Sequence, residues 1–386
     1  MKRLFPIFWI CCAILLFLYS YTQVDLSLTL SRASLVRDIE TAFQYIGWFQ
    51  RPLSTALYIG LLCILFGAYL YTIKIIQKKK ISRKVVWVTI LSVTGILTFS
   101  YNALSYDIFN YIFDAKIFTF YHQNPYLHKA LDFPSDPMLS FMRWTHRVYP
   151  YGPLWLGLTI PFSYAGMKIF IVTYFLFKLF IAGCFLLSCL LIERITKLHD
   201  KEHSLLPLVL FAFNPLVLIE CLSSSHNDIV MIALSLAGVY FLFMNQRINS
   251  IIALLASILV KFATGLLVVP FIVYIVKKKK TDFLVLSYLS MIVAIILASL
   301  RTNFQPWYLL YAIPFACLLY KRGYALFPLL VLSITGLIYY IPFLYTGNWN
   351  PPIPQILNNL IFGGVAVSLL LVLTERFIRK GRENLL

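Results

Sequence analysis

Residues 250–276 read SIIALLASILVKFATGLLVVPFIVYIV, and the interpretation of this stretch fixes the architecture. It is apolar throughout apart from Lys261 near its middle and a few small hydroxyl residues. A helix crosses a bilayer in about 20 residues, so the stretch is either one long span or two short ones. Its flanks decide between them. Gln246 and Arg247 precede it, and the run Lys277–Lys280 follows it. Basic residues beside apolar segments mark the cytoplasmic side, so both ends lie there. A single span cannot begin and end on one side. Two half-length helices meeting near Lys261 satisfy the charge, and a re-entrant hairpin is predicted. An intramembrane cation is costly and points by default to a functional site. The competing reading is a lysine that snorkels to an outer headgroup.

The composition outside this stretch is of the same kind. Of 386 residues, 60% are hydrophobic and 12% charged, and the mean hydropathy is +0.81. A soluble domain is nearer half apolar and a quarter charged, and disorder needs low hydrophobicity, so both classes are excluded. Full spans are predicted from Leu4 to about Tyr21, behind Met1-Lys2-Arg3, and at about 53–76, 85–101, 169–192, 204–221, 229–244, 282–300, 306–320, 324–345 and 353–374. No small-residue cleavage site follows the first, which is read as an uncleaved span. Residues 153–166 are too short to cross unaided and are expected to lie re-entrant or interfacial. The fold class is an all-α polytopic membrane protein, one integral membrane domain over residues 1–386, with about ten full spans plus short re-entrant helices.

A net charge of +18 would suit nucleic acid, but its placement argues otherwise. The runs KKKISRK (78–84), KKKK (277–280) and ERFIRKGR (375–382) all flank apolar segments. They are topology signals, so no nucleic-acid partner is expected and both termini are placed in the cytoplasm. The seven cysteines sit in or beside apolar runs, without metal-ligand spacing, and read as buried small hydrophobes.

This topology isolates two large outer loops, 22–52 and 102–168. In the first, Leu35, Ile39, Phe43 and Ile46 recur at helical spacing, with Arg37, Asp38 and Glu40 elsewhere on the wheel, as in a helix lying in the interface plane. The second carries SYDIFNYIFDAKIFTFYHQNPY, residues 105–126. A helix from Asp107 places Asp107, Asn110, Tyr111 and Asp114 on one face. Phe109, Phe113, Ile117 and Phe120 share another face, suited to the membrane surface, and Asn124-Pro125 ends the helix. A solvated polar face explains the spacing equally well.

Other segments add polar groups to the same side. RVYPYGPLW (147–155) punctuates an aromatic run around Tyr151 with Pro150, Gly152 and Pro153, and a packing loop is the plain alternative. SSSHND (223–228) offers His226 and Asp228 to a phosphate or to sugar hydroxyls; the alternatives are a metal pair, for which ligands are too few, and a polar turn capped by Ser225 or Asn227. RTNFQPWY (301–308) supplies Arg301, whose planar fork suits phosphate, with Gln305 beside it. Trp307 and Tyr308 read equally well as interfacial aromatics. Lys178 faces either a partner or the bundle interior. Acids at one place and cations at the bilayer boundary suit a lipid-linked phosphate donor. Its tail would stay in the membrane, its phosphate would meet Lys261 and Arg301, and its sugar would lie near Asp107.

The ordered segments SYDIFNYIFDAKIF…NPY, YPYGPLW, SSHNDIVMIAL, VKFATGLLVVP and QPWYLLYAIP, over about residues 102–315, resemble multi-spanning glycosyltransferases of the GT-C fold. The resemblance is to bacterial polyprenyl-phosphate-mannose-dependent mannosyltransferases and to the eukaryotic glycosylphosphatidylinositol mannosyltransferase I. It implies a GT-C-like bundle whose large outer loop carries amphipathic helices and an acidic catalytic base. It also implies a polyprenyl-phosphate-linked sugar donor, mannose as the hexose, and inversion at the anomeric carbon. By position, Asp107 takes the place of the catalytic acid and Asp114 that of the second acid. The mannosyltransferase I relatives carry Asp-x-Asp here, whereas this chain has Ser105-Tyr106-Asp107. No cofactor is called for with certainty, and a divalent metal is not favoured. The expected substrate-binding residues are Asp114, Asn110, Tyr111, Tyr151, His226 and Asp228. Lys261, Arg301 and Gln305 are expected to hold the donor phosphate.

The chemistry is consistent with that reading. A hydroxyl attacking an anomeric carbon loses a proton that a carboxylate accepts, and fixed cations stabilise the departing phosphate. The expected partners are the lipid-linked donor, a glycan, glycolipid or protein acceptor, and membrane lipids, with the active site on the extracytoplasmic face of the cell (inner) membrane. The alternative is a lipid-linked-sugar flippase or other multi-span transporter. That would explain the hairpin and Lys261 but leave loop 102–168 without a role. A structural or assembly membrane protein would leave the aligned acids unexplained as well.

Overall fold

A computed structural model describes residues 4–31, 33–200, 202 and 204–383. Lys2 and Arg3 of the predicted cytoplasmic N-terminus lie outside the described residues. The described residues form helices and turns, with no strand among them. In order the helices are α1 (Leu4–Tyr21), α2 (Ser34–Gln44), α3 (Arg51–Gln77), α4 (Arg83–Thr98), α5 (Asp107–Thr119), α6 (Pro153–Ala165) and α7 (Phe170–His199). Then come α8 (Leu206–Ala212) and α9 (Pro215–Ser223), a pair bent by 47°. There follow α10 (Asp228–Phe243), α11 (Arg247–Val260), a 3₁₀ turn Phe262–Leu267 leading into α12 (Val268–Lys277), and α13 (Lys280–Thr302). A second 3₁₀ turn, Pro306–Tyr311, leads to α14 (Ile313–Leu318), then α15 (Gly323–Ile338), α16 (Ile341–Thr346) and α17 (Ile353–Glu383).

Helices occur at every predicted span, but ten uninterrupted crossings do not. Among the described residues six helices are long and apolar enough, or seven if the bent pair counts as one. The α4 and α10 helices have 16 residues each, about 24 Å, short of a 30 Å hydrocarbon core. The predicted span 306–320 is a 3₁₀ turn followed by a six-residue helix. The α8–α9 break has a local cause. Pro215 cannot donate to the preceding turn, and Asn214 caps the restart by accepting the Leu216 N–H at 2.9 Å.

The hairpin at Lys261 is present. Helices α10 and α11 run antiparallel, with Ser257 Oγ donating to the Met231 carbonyl at 2.7 Å and Ser250 Oγ to the Gly238 carbonyl at 2.9 Å. Lys261 is therefore level with the start of α10. Helix α12 then returns, packing Tyr274 on Phe243 at 5.3 Å, level with the end of α10. Cations gather at that returning end. Lys280 donates to the Leu198 carbonyl at 2.8 Å, Lys321 pairs with Asp200 and Glu202 at 3.0 Å each, and Arg83 and Lys197 pair with Glu193. The bundle has a basic end, with Asp107, His226 and Lys261 at the other.

Helix α2 forms within loop 22–52, with Leu35 and Ile39 72% and 51% exposed while Glu40 is buried against the Leu30 N–H. Helix α5 begins at Asp107 as expected but ends at Thr119, before Asn124-Pro125. Its apolar face does not meet the membrane surface. Phe109, Phe113 and Ile117 are fully buried, and residues 130–141 together with α7 cover Phe109 and Phe113. Phe109 packs edge-on to Phe141 at 5.1 Å, and Phe113 lies 6.3 Å from Phe133. Phe120 alone of that face stays exposed. Two cysteines also depart from expectation: Cys11 and Cys63 lie exposed on the outer surfaces of α1 and α3.

Candidate active site

Asp107 is the first residue of α5, where the helix N-terminus favours a carboxylate, and its N–H is held by Ser105 Oγ at 3.1 Å. The turn after α9 brings His226 to it. Ser225 there adopts a left-handed conformation (φ 59°), and the His226 N–H donates to the Glu220 carbonyl at 3.0 Å. His226 Nδ1 lies 3.6 Å from Asp107 Oδ2, and its Nε2 lies 3.2 Å from Glu220 Oε2. Tyr340 donates to the other Glu220 oxygen at 2.9 Å, and Trp307 stacks on the imidazole at 4.2 Å.

An imidazole between two acids gains charge. Burial alone would lower the His226 pKa, but the close carboxylates of Asp107 and Glu220 raise it to about 9. Burial would likewise raise Asp107, yet the nearby charge of His226, with Arg147 and Lys261 behind, holds it below the usual carboxylate range. Asp114 follows two turns along, about 10 Å down the helix axis. Burial pushes its carboxyl up to about 7, opposed by Arg147 and reinforced by Asp107.

Lys261 Nζ lies 2.7 Å from Asp228 Oδ1, and the rings of Tyr151 and Tyr311 lie 5.8 and 6.0 Å from it. The lysine is paired rather than snorkelling. Gly152 of YPYGPLW makes this packing possible. Its N–H donates to the Val260 carbonyl at 3.1 Å, and a Cβ there would sit 2.1 Å from the Leu259 carbonyl oxygen. Tyr111 joins the two halves: its hydroxyl is 3.5 Å from Asp107 Oδ2 and 3.3 Å from Asn227 Oδ1, and its ring meets Tyr151 edge-on.

The structure therefore brings together Asp107, Tyr111, Tyr151, His226, Asp228 and Lys261, with Asn110 buried and Asp114 partly buried on the same helix. His226 and Asp228 are fully buried, each occupied by a partner. Arg301, in the last turn of α13, and Gln305, just before the Pro306–Tyr311 turn, make no side-chain contact with this network, and Arg301 is exposed with no ion pair among the described residues. Glu220, Arg147 and Tyr340 were not expected. Glu220 carried a usable signal, being a lone acid in the apolar run 205–222. Among the described residues no group of three or more His, Cys, Asp or Glu is arranged to hold a metal ion. A cavity of about 510 Å³ opens on the opposite side of α5, lined by Ile112, Lys116, Thr119, Ser163 and Lys168, and belongs to none of this network.

Residues 12–278 match the MptA_B family, alpha-(1->6)-mannopyranosyltransferase, N-terminal domain. The chain belongs to this family. It is a mannosyltransferase of GT-C type, and the transporter alternative gives way to an enzyme. No curated protein and no solved structure matches the chain. The matched part of the mannosyltransferase takes in Asp107, Asp114, Glu220, His226, Asp228 and Lys261 and stops before Arg301 and Trp307.

Proposed function

We propose that the enzyme transfers a mannosyl group from a polyprenyl-phosphate donor to an acceptor hydroxyl at the outer face of the cell membrane, with inversion. The observation that carries this is the placement of a carboxylate, Asp107 with His226, and an intramembrane cation, Lys261 with Asp228, in one network bridged by Tyr111 at the end of the bundle opposite its basic end. Basic residues favour the cytoplasmic side, which directs the Asp107 end outward. The acceptor oxygen attacks the anomeric carbon and Asp107 takes its proton. The bond from that carbon to the phosphate oxygen breaks, and the lipid phosphate leaves with the electron pair. Lys261, with Arg301 and Gln305, stabilises the charge that gathers on the phosphate. Asn110, Tyr111, Asp114 and Tyr151 contact the sugar or acceptor. His226 and Asp228 act on substrate through Asp107 and Lys261. The acceptor is a glycan, glycolipid or protein hydroxyl.

A second reading makes Asp114 the base, because a carboxyl near 7 is matched to neutral conditions whereas Asp107 is held lower. Transfer from labelled polyprenyl-phosphate mannose by the purified enzyme separates the two. On the first reading Asp107→Asn loses about 10²–10⁴ in turnover and Asp114→Asn much less. The reverse pattern establishes Asp114. Transfer from a nucleotide sugar with none from the lipid donor would refute the donor assignment.

A further inference from the structure

Lys178 lies in the first third of α7 and is fully buried, yet no carboxylate among the described residues pairs with it. Its Nζ instead donates to the Ser100 carbonyl at 2.5 Å, Ser100 Oγ at 3.3 Å and the Ser223 carbonyl at 3.2 Å. An ammonium has three donors and no acceptor, so three oxygens satisfy it fully, whereas a neutral amine would leave its lone pair facing oxygen. Two of those oxygens have a particular origin. Ser100 follows the end of α4, and Ser223 ends α9. Helix C-termini leave carbonyls unpaired and carry partial negative charge, so one cation between two such ends is stabilised by both.

These two ends lead directly into the site. From Ser100 the chain runs through a tight turn to Asp107. Tyr174, one turn before Lys178, donates to Asn102 at 3.1 Å. Asn102 Nδ2 donates to the Ser105 carbonyl at 2.5 Å, and Ser105 Oγ holds the Asp107 N–H. From Ser223 the chain passes through two serines to His226. Ser223 Oγ also donates to the Tyr101 carbonyl at 3.2 Å, tying the segments to each other. The Asp107–His226 contact is made by two loops that share one anchor.

We propose that Lys178 is a positioning residue for mannosyl transfer: its ammonium clamps the C-terminal carbonyls of α4 and α9 and so sets the distance between Asp107 and His226. This rests on Asp107 being the base. Replacing Lys178 by methionine keeps the stem and removes all three donors. The loops then part, and Asp107 loses the imidazole that holds its pKa down.

The test uses the purified full-length enzyme with polyprenyl-phosphate mannose. Lys178→Met is expected to lower kcat about tenfold or more with the donor KM within about twofold, and to move the acid limb of the kcat profile to higher pH. A purely structural lysine would reduce the amount of folded enzyme and leave the profile where it was. The double variant with Asp107→Asn is expected to fall no further than Asp107→Asn alone, since the clamp acts through that carboxylate. An unmoved pH profile, or a fully additive loss in the double variant, overturns the proposal. Lys178→Gln, which retains a donor without the charge, provides the same readouts if the methionine variant is not recovered folded. Failure of both to fold also overturns it, by assigning Lys178 to bundle stability. The proposal and the base assignment fail separately: active Asp107→Asn enzyme rejects the base, whereas inactive Asp107→Asn with an unshifted Lys178→Met profile rejects the clamp.

Discussion

Substituting Lys261 by methionine separates its role as an ion-pair partner from its role toward the donor. The side chain of Asp228 is 0% exposed and that of Lys261 21% exposed, at a separation of 2.7 Å. Removing one partner of a buried pair leaves an uncompensated charge and costs about 3–5 kcal/mol. The partial exposure of Lys261 admits some screening, which puts the expected loss near the lower figure, about 3 kcal/mol, or roughly a hundredfold in the folding equilibrium. A second change, Asp228→Asn, removes the stranded charge and returns most of that stability. Unfolding midpoints in detergent for the native enzyme, the single and the double variant measure this, with mannosyl transfer followed on the same samples. The single variant is expected to melt lower and the double to recover. Both are expected to lose transfer by about 10² or more, because Arg301 is then the one proposed cation left for the departing phosphate. An unchanged midpoint for Lys261→Met would refute the pairing as a stabilising contact. Native turnover in the double variant would refute the phosphate role.

Three other changes test the rest of the site. Glu220→Gln removes one of the two acids that raise His226 to about 9, so the alkaline limb of the activity profile is expected to move down by about 1–3 pH units. Because His226 is raised when folded, its contribution to stability is full below its ordinary value of 6.5 and is lost as pH rises through about 9, and in Glu220→Gln that contribution is smaller and is gone at a lower pH. Asp114 is raised from 3.8 to about 7, so its ionisation costs stability as pH climbs through that window; Asp114→Asn is expected to raise the unfolding midpoint at pH 8 and to change it little at pH 4. Gly152→Ala drives a methyl to 2.1 Å from the Leu259 carbonyl and is expected to cost about 1–3 kcal/mol with reduced transfer, whereas Gly157→Ala on α6 meets nothing within 4 Å and serves as the control; equal midpoints for the two would refute the close-approach argument.

The legible parts of this molecule are those with local causes. The broken helix at Lys261 followed from charge at its two flanks, and α5 followed from a polar set at helical spacing starting at Asp107. The apolar face of α5 was legible as apolar but not as buried, because membrane surface and protein interior select the same side chains. The count of about ten full spans was not matched by long helices for a related reason. Hydropathy registers an apolar run but not a helix interrupted by Pro215 or shortened to 16 residues. Glu220 stood out as an acid in an apolar run, yet nothing local connects it to His226 by side chain or to Tyr340, 120 positions away.

By itself the sequence determined the environment, the helices and the separation of a basic end from a polar one. Apolarity, helical period and flanking charge act over neighbouring residues, so they can be read in order along the chain. Tertiary structure decided which polar groups meet. Tyr111 reaches Asn227 across 116 positions, and Lys178 holds Ser100 from 78 positions away. Such meetings depend on how helices cross and where their carbonyl ends come to rest. In a low-dielectric interior every buried charge must find its partner there, which is why the arrangement of a few long-range contacts fixes the protonation of Asp107 and His226 and with it the chemistry proposed for this end of the bundle.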